Sequence, residues 1–126
     1  MSPAGGTILI IDDDPGIRGN NAELLELSGY SCQAFADGAS ALAWCQAHPG
    51  QAACAVVDLS MPGLSGTQTF RRMRELEPGL PVIICSGSAE DELLDDLRAQ
   101  GLTAVLRKPA RGAELVAAVA AAVARR

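Results

Sequence analysis

Two groups of carboxylates stand out in this chain: the run Asp12-Asp13-Asp14 and the single Asp58. Each comes after an apolar run, Ile8-Leu9-Ile10-Ile11 in the first case and Ala55-Val56-Val57 in the second. Ser86 comes after Ile83-Ile84-Cys85, and Lys108 after a weaker fifth run. If these runs are strands of one open parallel sheet, side chains that do chemistry gather beyond their carboxyl ends, near the point where strand order reverses. Asp12, Asp13, Asp58, Ser86 and Lys108 all fall there. Carboxylates held together at such a tip repel one another, so the arrangement requires a cation or hydrogen-bond donors to offset their charge. Hard oxygen ligands suit Mg2+ or Mn2+, and a site with few protein ligands and several waters suits Mg2+ best. With the positive charge of Lys108 and the hydroxyl of Ser86, these are the parts needed for phosphoryl transfer, where a protein chiefly positions groups and stabilises charge. A carboxylate can itself be the nucleophile, forming an acyl phosphate.

The elements that must hold these residues can be read from the apolar patterning. Five short runs, 7–11, 31–35, 53–59, 81–85 and 103–106, alternate with five segments of helical character, which predicts a parallel sheet with helices on both faces. The first, third and fourth runs are nearly continuous in apolar residues and should be central. Pro15 starts the first helix after Asp14 as N-cap, and Gly29 ends it. The second begins near Asp37, turns Ala41, Leu42 and Cys45 inward and stops at Pro49-Gly50. The third covers 65–76 with Phe70 and Met73 inward, before a turn at Pro78-Gly79. The fourth covers 89–99 on a stripe of Leu93, Leu94 and Leu97, with Gly101 as its stop. The fifth runs from about Arg111 and is mostly Ala and Val.

Composition narrows the function classes. With 126 residues, 48% hydrophobic and 20% charged, the chain reads as one globular domain, 1–126. A net charge of −5 argues against direct nucleic-acid binding, which needs Lys and Arg to neutralise phosphates. Arg71, Arg72 and Arg74 read as a solvated helix face. The Ala-rich stretch 115–124 falls short of the roughly 20 apolar residues of a membrane span, and residues 1–7 do not form a signal peptide, so a cytoplasmic location is expected. Cys32, Cys45, Cys54 and Cys85 show no CxxC spacing and read as reduced core thiols, and His48 as a surface imidazole at a helix end.

Four pieces, in order, now point to one family: Ile8 to Asp14, Val56 to Gly66, Ile83 to Gly87, and Arg107-Lys108-Pro109. Together they resemble the receiver domain of bacterial response regulators over 7 to about 125. The resemblance implies a single doubly wound α/β sheet of flavodoxin-like order 2-1-3-4-5. It makes Asp58 the phosphoacceptor and Asp13 a direct metal ligand, with Asp12 acting on the metal through water and the backbone carbonyl of Ser60 completing the protein ligands. Ser86 and Lys108 would each pair with a phosphoryl oxygen, and Lys108-Pro109 would be a cis peptide that aims the lysine inward. Ser60 and Ser88 occupy the flanking positions that tune the lifetime of the acyl phosphate. The implied cofactor is Mg2+, with Mn2+ as an alternative. The implied partners are a sensor histidine kinase or phosphotransfer protein and, through the fourth helix, fifth strand and fifth helix, a second copy of the chain. No membrane is involved. On this reading the chain is not an enzyme beyond its own aspartyl phosphorylation and dephosphorylation.

Three features depart from that pattern. Val105 occupies the switch position, where an aromatic ring is usual, so a switching movement there should be small. Ala110 replaces a frequent Phe, and Asn20 and Asn21 interrupt the apolar side of the first helix, which suits partial exposure or a local hydrogen bond. The fifth helix sets Ala117, Ala118, Ala120, Ala121 and Ala122 around Val116, Val119 and Val123, a weakly polar outer face suited to self-association or docking. Two other classes stay open: a small aspartyl phosphohydrolase of the haloacid dehalogenase type, and a structural pseudo-receiver. Against the first, the nucleophile would sit on the third strand with no cap. Against the second stand the intact acidic residues and Lys108. A P-loop nucleotide binder is excluded by the absence of GxxxxGK[ST].

Overall fold

Side chains alternate between the two faces of a strand, so an apolar strand covered on both sides needs two cores. Here Leu9, Ile11, Ala55, Val57, Val82 and Ile84 point into one core, while Ile8, Ile10, Cys54, Val56, Ile83 and Cys85 point into the other. The computed structural model describes residues 6–59, 65–87, 91–102, 104–107 and 112–124, with the backbone alone at 91–94. Its elements are β1 (Thr7–Ile11), α1 (Pro15–Leu27), β2 (Ser31–Phe35), α2 (Gly38–Ala47), β3 (Ala52–Asp58), α3 (Gly66–Leu76), β4 (Val82–Ser86), α4 (Asp91–Ala99), β5 (Ala104–Arg107) and α5 (Gly112–Ala124). The five strands are parallel in the order β2-β1-β3-β4-β5, as expected, and β1, β3 and β4 are central.

Helix ends reflect local chemistry. The Asp14 carboxylate caps α1 by accepting from the N–H groups of Gly16 and Ile17, ahead of Pro15, whose missing donor costs nothing there. Asp37 caps α2 by accepting from Ser40 N–H at 2.7 Å, and this bond lowers its carboxyl pKa. Ser65 and Gln68 form a reciprocal capping box on α3. Gly29 and Gly101, with φ of 99° and 101°, take the left-handed conformation that ends α1 and α4. The inward residues are as expected: Ala41, Leu42 and Cys45 on α2, Phe70 and Met73 on α3, and Leu97 on α4 are buried, whereas Leu93 and Leu94 fall outside the described side chains. Leu115, Val119 and Ala122 of α5 are buried. No helix among the described residues is long and apolar enough to cross a membrane.

Two surface expectations are corrected. Arg74 is half-buried: its guanidinium donates to Pro78 O at 2.6 Å and Gly101 O at 3.0 Å and lies 5.4 Å from the Phe70 ring centre. Arg71 and Arg72 are exposed, as a solvated face requires, and Arg71 reaches across the surface from α3 to Asp96 at 3.2 Å and Gln100 at 3.2 Å. His48 is not simply exposed, because its ring stacks on Trp44 at 4.4 Å and Nδ1 lies 2.9 Å from Trp44 O. Asn20 is exposed and Asn21 half-buried, as the polar pair suggested.

All four cysteines are free, with Cys45, Cys54 and Cys85 buried and Cys32 half-buried on the edge strand. Desolvation, with smaller contributions from Glu26 and Glu77 respectively, pushes the Cys32 and Cys45 thiols from 9.0 up to about 11. A raised pKa favours folding while the thiol is protonated. That contribution is complete below the unfolded value and is lost as pH rises through about 11. The midpoint of urea unfolding should therefore fall between pH 9.0 and about 11. It should fall less in Cys45→Ala compared with its own neutral-pH value, and an equal alkaline loss in that variant would contradict the assignment.

Candidate functional site

Strand order reverses between β1 and β3, since β2 lies outside β1 while β4 and β5 continue beyond β3. The crevice at that reversal is lined by the turn leaving β1 and by the carboxyl end of β3. Asp12 and Asp13 come directly after Ile11, and Asp58 is the last residue of β3. One carboxylate oxygen from each of Asp12, Asp13 and Asp58 lies within 4.8 Å of the others. Asp12 and Asp58 are 4% and 5% exposed, while Asp13 is on the open side. Three like charges this close, two of them shielded from water, require a compensating cation or donors. A hard divalent ion with oxygen ligands and several waters fits this donor set, and the open side left by Asp13 suits those waters.

The three acids differ in how they are held. Asp12 N–H donates to Phe35 O at 3.1 Å, and its Oδ1 accepts from Asp14 N–H at 2.9 Å, which folds the acidic turn onto itself. The Arg18 guanidinium donates to Asp12 O at 2.8 Å. Asp14 takes no part in the cluster, because its carboxylate is committed to the α1 cap.

Asp58 sits on a strand paired on both sides, opposite Cys85 of β4. The next residue continues the bracing: Leu59 N–H donates to Cys85 O at 2.9 Å, and Gly66 N–H donates to Leu59 O at 3.1 Å. The first turn of α3 thus presses on the backbone that carries Asp58. A Cβ at Gly66 would collide with Asp58 O and with Leu59 Cα.

Ser86, expected just after its strand, is instead the last residue of β4, in register with Arg107, because pairing with β5 extends one residue further than the apolar run. It is 2% exposed, and the Asp58–Cys85 pairing sets it one residue beyond the level of Asp58. Val105 is half-buried against the core shared by α2, α3 and α4 and pairs with Ile84. Ser60, Ser88, Lys108, Pro109 and Ala110 lie outside the described residues. Arg18 and Gly66 were not among the expected site residues. Arg18 sits one helical turn past Asp14, a spacing that only the folded turn makes meaningful. Gly66 reads in sequence as a loop glycine.

Comparison with known proteins gives a consistent result. The family model described as the response regulator receiver domain matches residues 8–120. The transcriptional regulatory protein FixJ of Bradyrhizobium diazoefficiens is 32% identical over 119 residues, covering 94% of this chain and 57% of that protein. The sensor kinase CckA of Brucella abortus is 30% identical over 103 residues, covering 82% of this chain and 11% of that protein. The chain therefore spans from about half to a tenth of the length of these relatives. A response regulator receiver domain protein from Clostridium thermocellum superposes with a TM-score of 0.89 at 28% identity, covering 95% of both chains. A family model matched from β1 into α5, a sheet of order 2-1-3-4-5 and an acidic crevice at its reversal agree, and the chain belongs to the response regulator receiver domain family of two-component signalling.

Proposed function

We propose that this domain accepts a phosphoryl group on Asp58 in a site completed by Mg2+, with Mn2+ as an alternative, and so switches a protein-binding face. The observation that carries this reading is the convergence of the Asp12, Asp13 and Asp58 carboxylates within 4.8 Å beside the strand that ends in Ser86. Asp12 already accepts a backbone N–H, and Asp13 stands on the open side. Asp58 is the acid set one register step from a buried hydroxyl. In the step itself, a carboxylate oxygen of Asp58 forms a new bond to phosphorus while the bond from phosphorus to the donor imidazole breaks, its electron pair returning to that nitrogen. The metal supplies charge neutralisation for the carboxylates and the phosphoryl oxygens. Asp13 would hold it directly and Asp12 through water, and the carbonyl of Ser60, which lies outside the described residues, would complete the protein ligands. Ser86 would donate its hydroxyl to one phosphoryl oxygen, and Lys108, which with Pro109 lies outside the described residues, would pair with another. Ser60 and Ser88 set how readily water reaches the acyl phosphate. The proposed donor is a sensor histidine kinase or phosphotransfer protein in the cytoplasm, and the domain catalyses only its own phosphorylation and dephosphorylation.

Incubation with acetyl phosphate and Mg2+, with intact-mass measurement afterwards, tests this reading. One phosphoryl group should appear on the wild type and none on Asp58→Asn. Phosphorylation of Asp58→Asn to the wild-type extent would overturn it.

The output face is proposed to be α4, β5 and α5. The exposed positions of α5 include Ala113, Ala117, Ala120, Ala121 and Ala124, so a second helix could approach closely with little side-chain entropy lost. With Val105 in place of a ring, the change that reaches this face should be small. Ala117→Glu with Ala121→Glu should weaken self-association in sedimentation velocity while leaving Asp58 phosphorylation at the wild-type rate. Unchanged sedimentation with and without phosphorylation would place the output elsewhere.

A further inference from the structure

The acidic turn between β1 and α1 has to present two carboxylates in a fixed relation to a third on another strand. A turn residue can do so only if the peptides on either side of it cannot rotate. At Asp12 the N–H is held by Phe35 O at 3.1 Å, and the N–H two residues on is held by the Asp12 carboxylate at 2.9 Å. Between them lies the Asp12–Asp13 peptide, whose rotation would swing the Asp13 side chain out of the cluster. Asp13 itself makes no hydrogen bond among the described residues that would prevent this. The carbonyl of that peptide is instead gripped by Arg18 Nη1 at 2.8 Å, from a half-buried guanidinium one turn into α1. Arg18 is in turn locked into the helix by its own N–H to Asp14 O at 2.9 Å, on the residue that caps α1. Its guanidinium makes no ion pair among the described residues, so its direct contact with the acidic turn is this peptide carbonyl.

We infer that Arg18 is a positioning residue of the metal site, holding the Asp12–Asp13 peptide so that the Asp13 carboxylate stays within reach of a cation shared with Asp12 and Asp58. The inference rests on the metal-dependent reading of the site above. Groups that orient metal ligands without touching the metal are worth a measurable part of its affinity, because a ligand free to turn away must be ordered each time the ion binds.

Mg2+ titration of the full chain by calorimetry tests it, with thermal unfolding in metal-free buffer alongside. Arg18→Met keeps the length and apolar stem but removes the donor. It should weaken Mg2+ binding roughly tenfold, the low end for orienting groups, with the metal-free unfolding temperature close to wild type. Arg18→Lys restores a donor and should recover most of that affinity. Binding by Arg18→Met equal to or tighter than wild type would overturn the inference. So would equal weakening in the Met and Lys variants, since that would trace to lost packing of the guanidinium. If Arg18→Met does not fold, Arg18→Leu, which also lacks a donor, gives the same comparison. Asp13→Asn separates the role of Arg18 from the metal reading beneath it. If it binds Mg2+ as the wild type does, or if the wild type binds none, the metal reading itself fails. If Asp13→Asn loses binding while Arg18→Met retains it, only the role of Arg18 fails.

Discussion

Replacing Asp13 with alanine should abolish Mg2+-dependent phosphorylation of Asp58 while leaving the metal-free protein as stable as the wild type or slightly more so. The two effects separate because Asp13 has different consequences with and without the ion. Without it, the Asp13 carboxylate lies within 4.8 Å of two buried carboxylates and makes no compensating hydrogen bond among the described residues, so its removal relieves repulsion. Asp13 is exposed, and little packing is lost with it. For the ion, the variant lacks the one exposed acid of the three that converge among the described residues. Binding to the folded state alone stabilises it by ~1.4 kcal/mol at ten times the dissociation constant. The wild type should therefore unfold at a higher temperature in excess Mg2+, and Asp13→Ala should show no such rise. The paired readouts are the Mg2+-induced shift in unfolding temperature and the rate of labelling by acetyl phosphate. A variant that keeps either the shift or the rate would remove Asp13 from the metal site.

The second large effect is expected at Gly66, which has no side chain of its own but abuts the backbone of Asp58. The first turn of α3 meets the backbone of Asp58 and Leu59 so closely that a methyl group at Gly66 has no room, and both obstacles are main-chain atoms that cannot rotate away. Either α3 must slide outward, opening the core at Phe70 and Met73, or the end of β3 must move and carry Asp58 with it. Overpacking of this kind costs about 1–3 kcal/mol. A displacement of a reacting group by about 1 Å lowers a rate by as much as about a hundredfold. Gly66→Ala should therefore lower the urea midpoint and slow acetyl phosphate labelling by at least about tenfold. Gly79→Ala is the matched control, since a Cβ there meets nothing within 4 Å. Equal labelling rates in the two variants would show that α3 does not set the position of Asp58.

The packing around α3 also bears on how a change at Asp58 could spread. Arg71 and Arg74 join α3 to α4 and to the turn after it through Asp96, Gln100 and Gly101 O. A polar strap on the solvent side thus accompanies a short Val105 on the core side. In this domain α4 is tied to the element that braces Asp58, so a movement at the site need not pass through a rotating side chain to reach α4.

The amino-acid sequence by itself determined the number and order of the elements, because each is written in a local code. Continuous apolar runs mark strands covered on both faces, Asp14, Asp37 and Ser65 mark helix starts, and Gly29 and Gly101 mark helix ends. It also determined which acids could matter, since Asp12, Asp13 and Asp58 stand where β1 and β3 stop being apolar. Residues whose roles depend on a distant partner were not legible. Ser86 joins β4 only through its pairing opposite Arg107, and Arg74 leaves the solvent only because Gly101 O and the Phe70 face come within its reach. His48 is a different case: its stacking partner Trp44 is only four residues back on α2, a local contact that the reading of a plain surface imidazole missed. Arg18 and Gly66 carry no local signal, because one grips a peptide carbonyl across a turn and the other yields space to the strand end before its helix. Side-chain periodicity and caps are properties of consecutive residues and survive in one dimension. Hydrogen bonds and steric limits between elements exist only once the sheet has assembled, and it is these that decided how the acids are held.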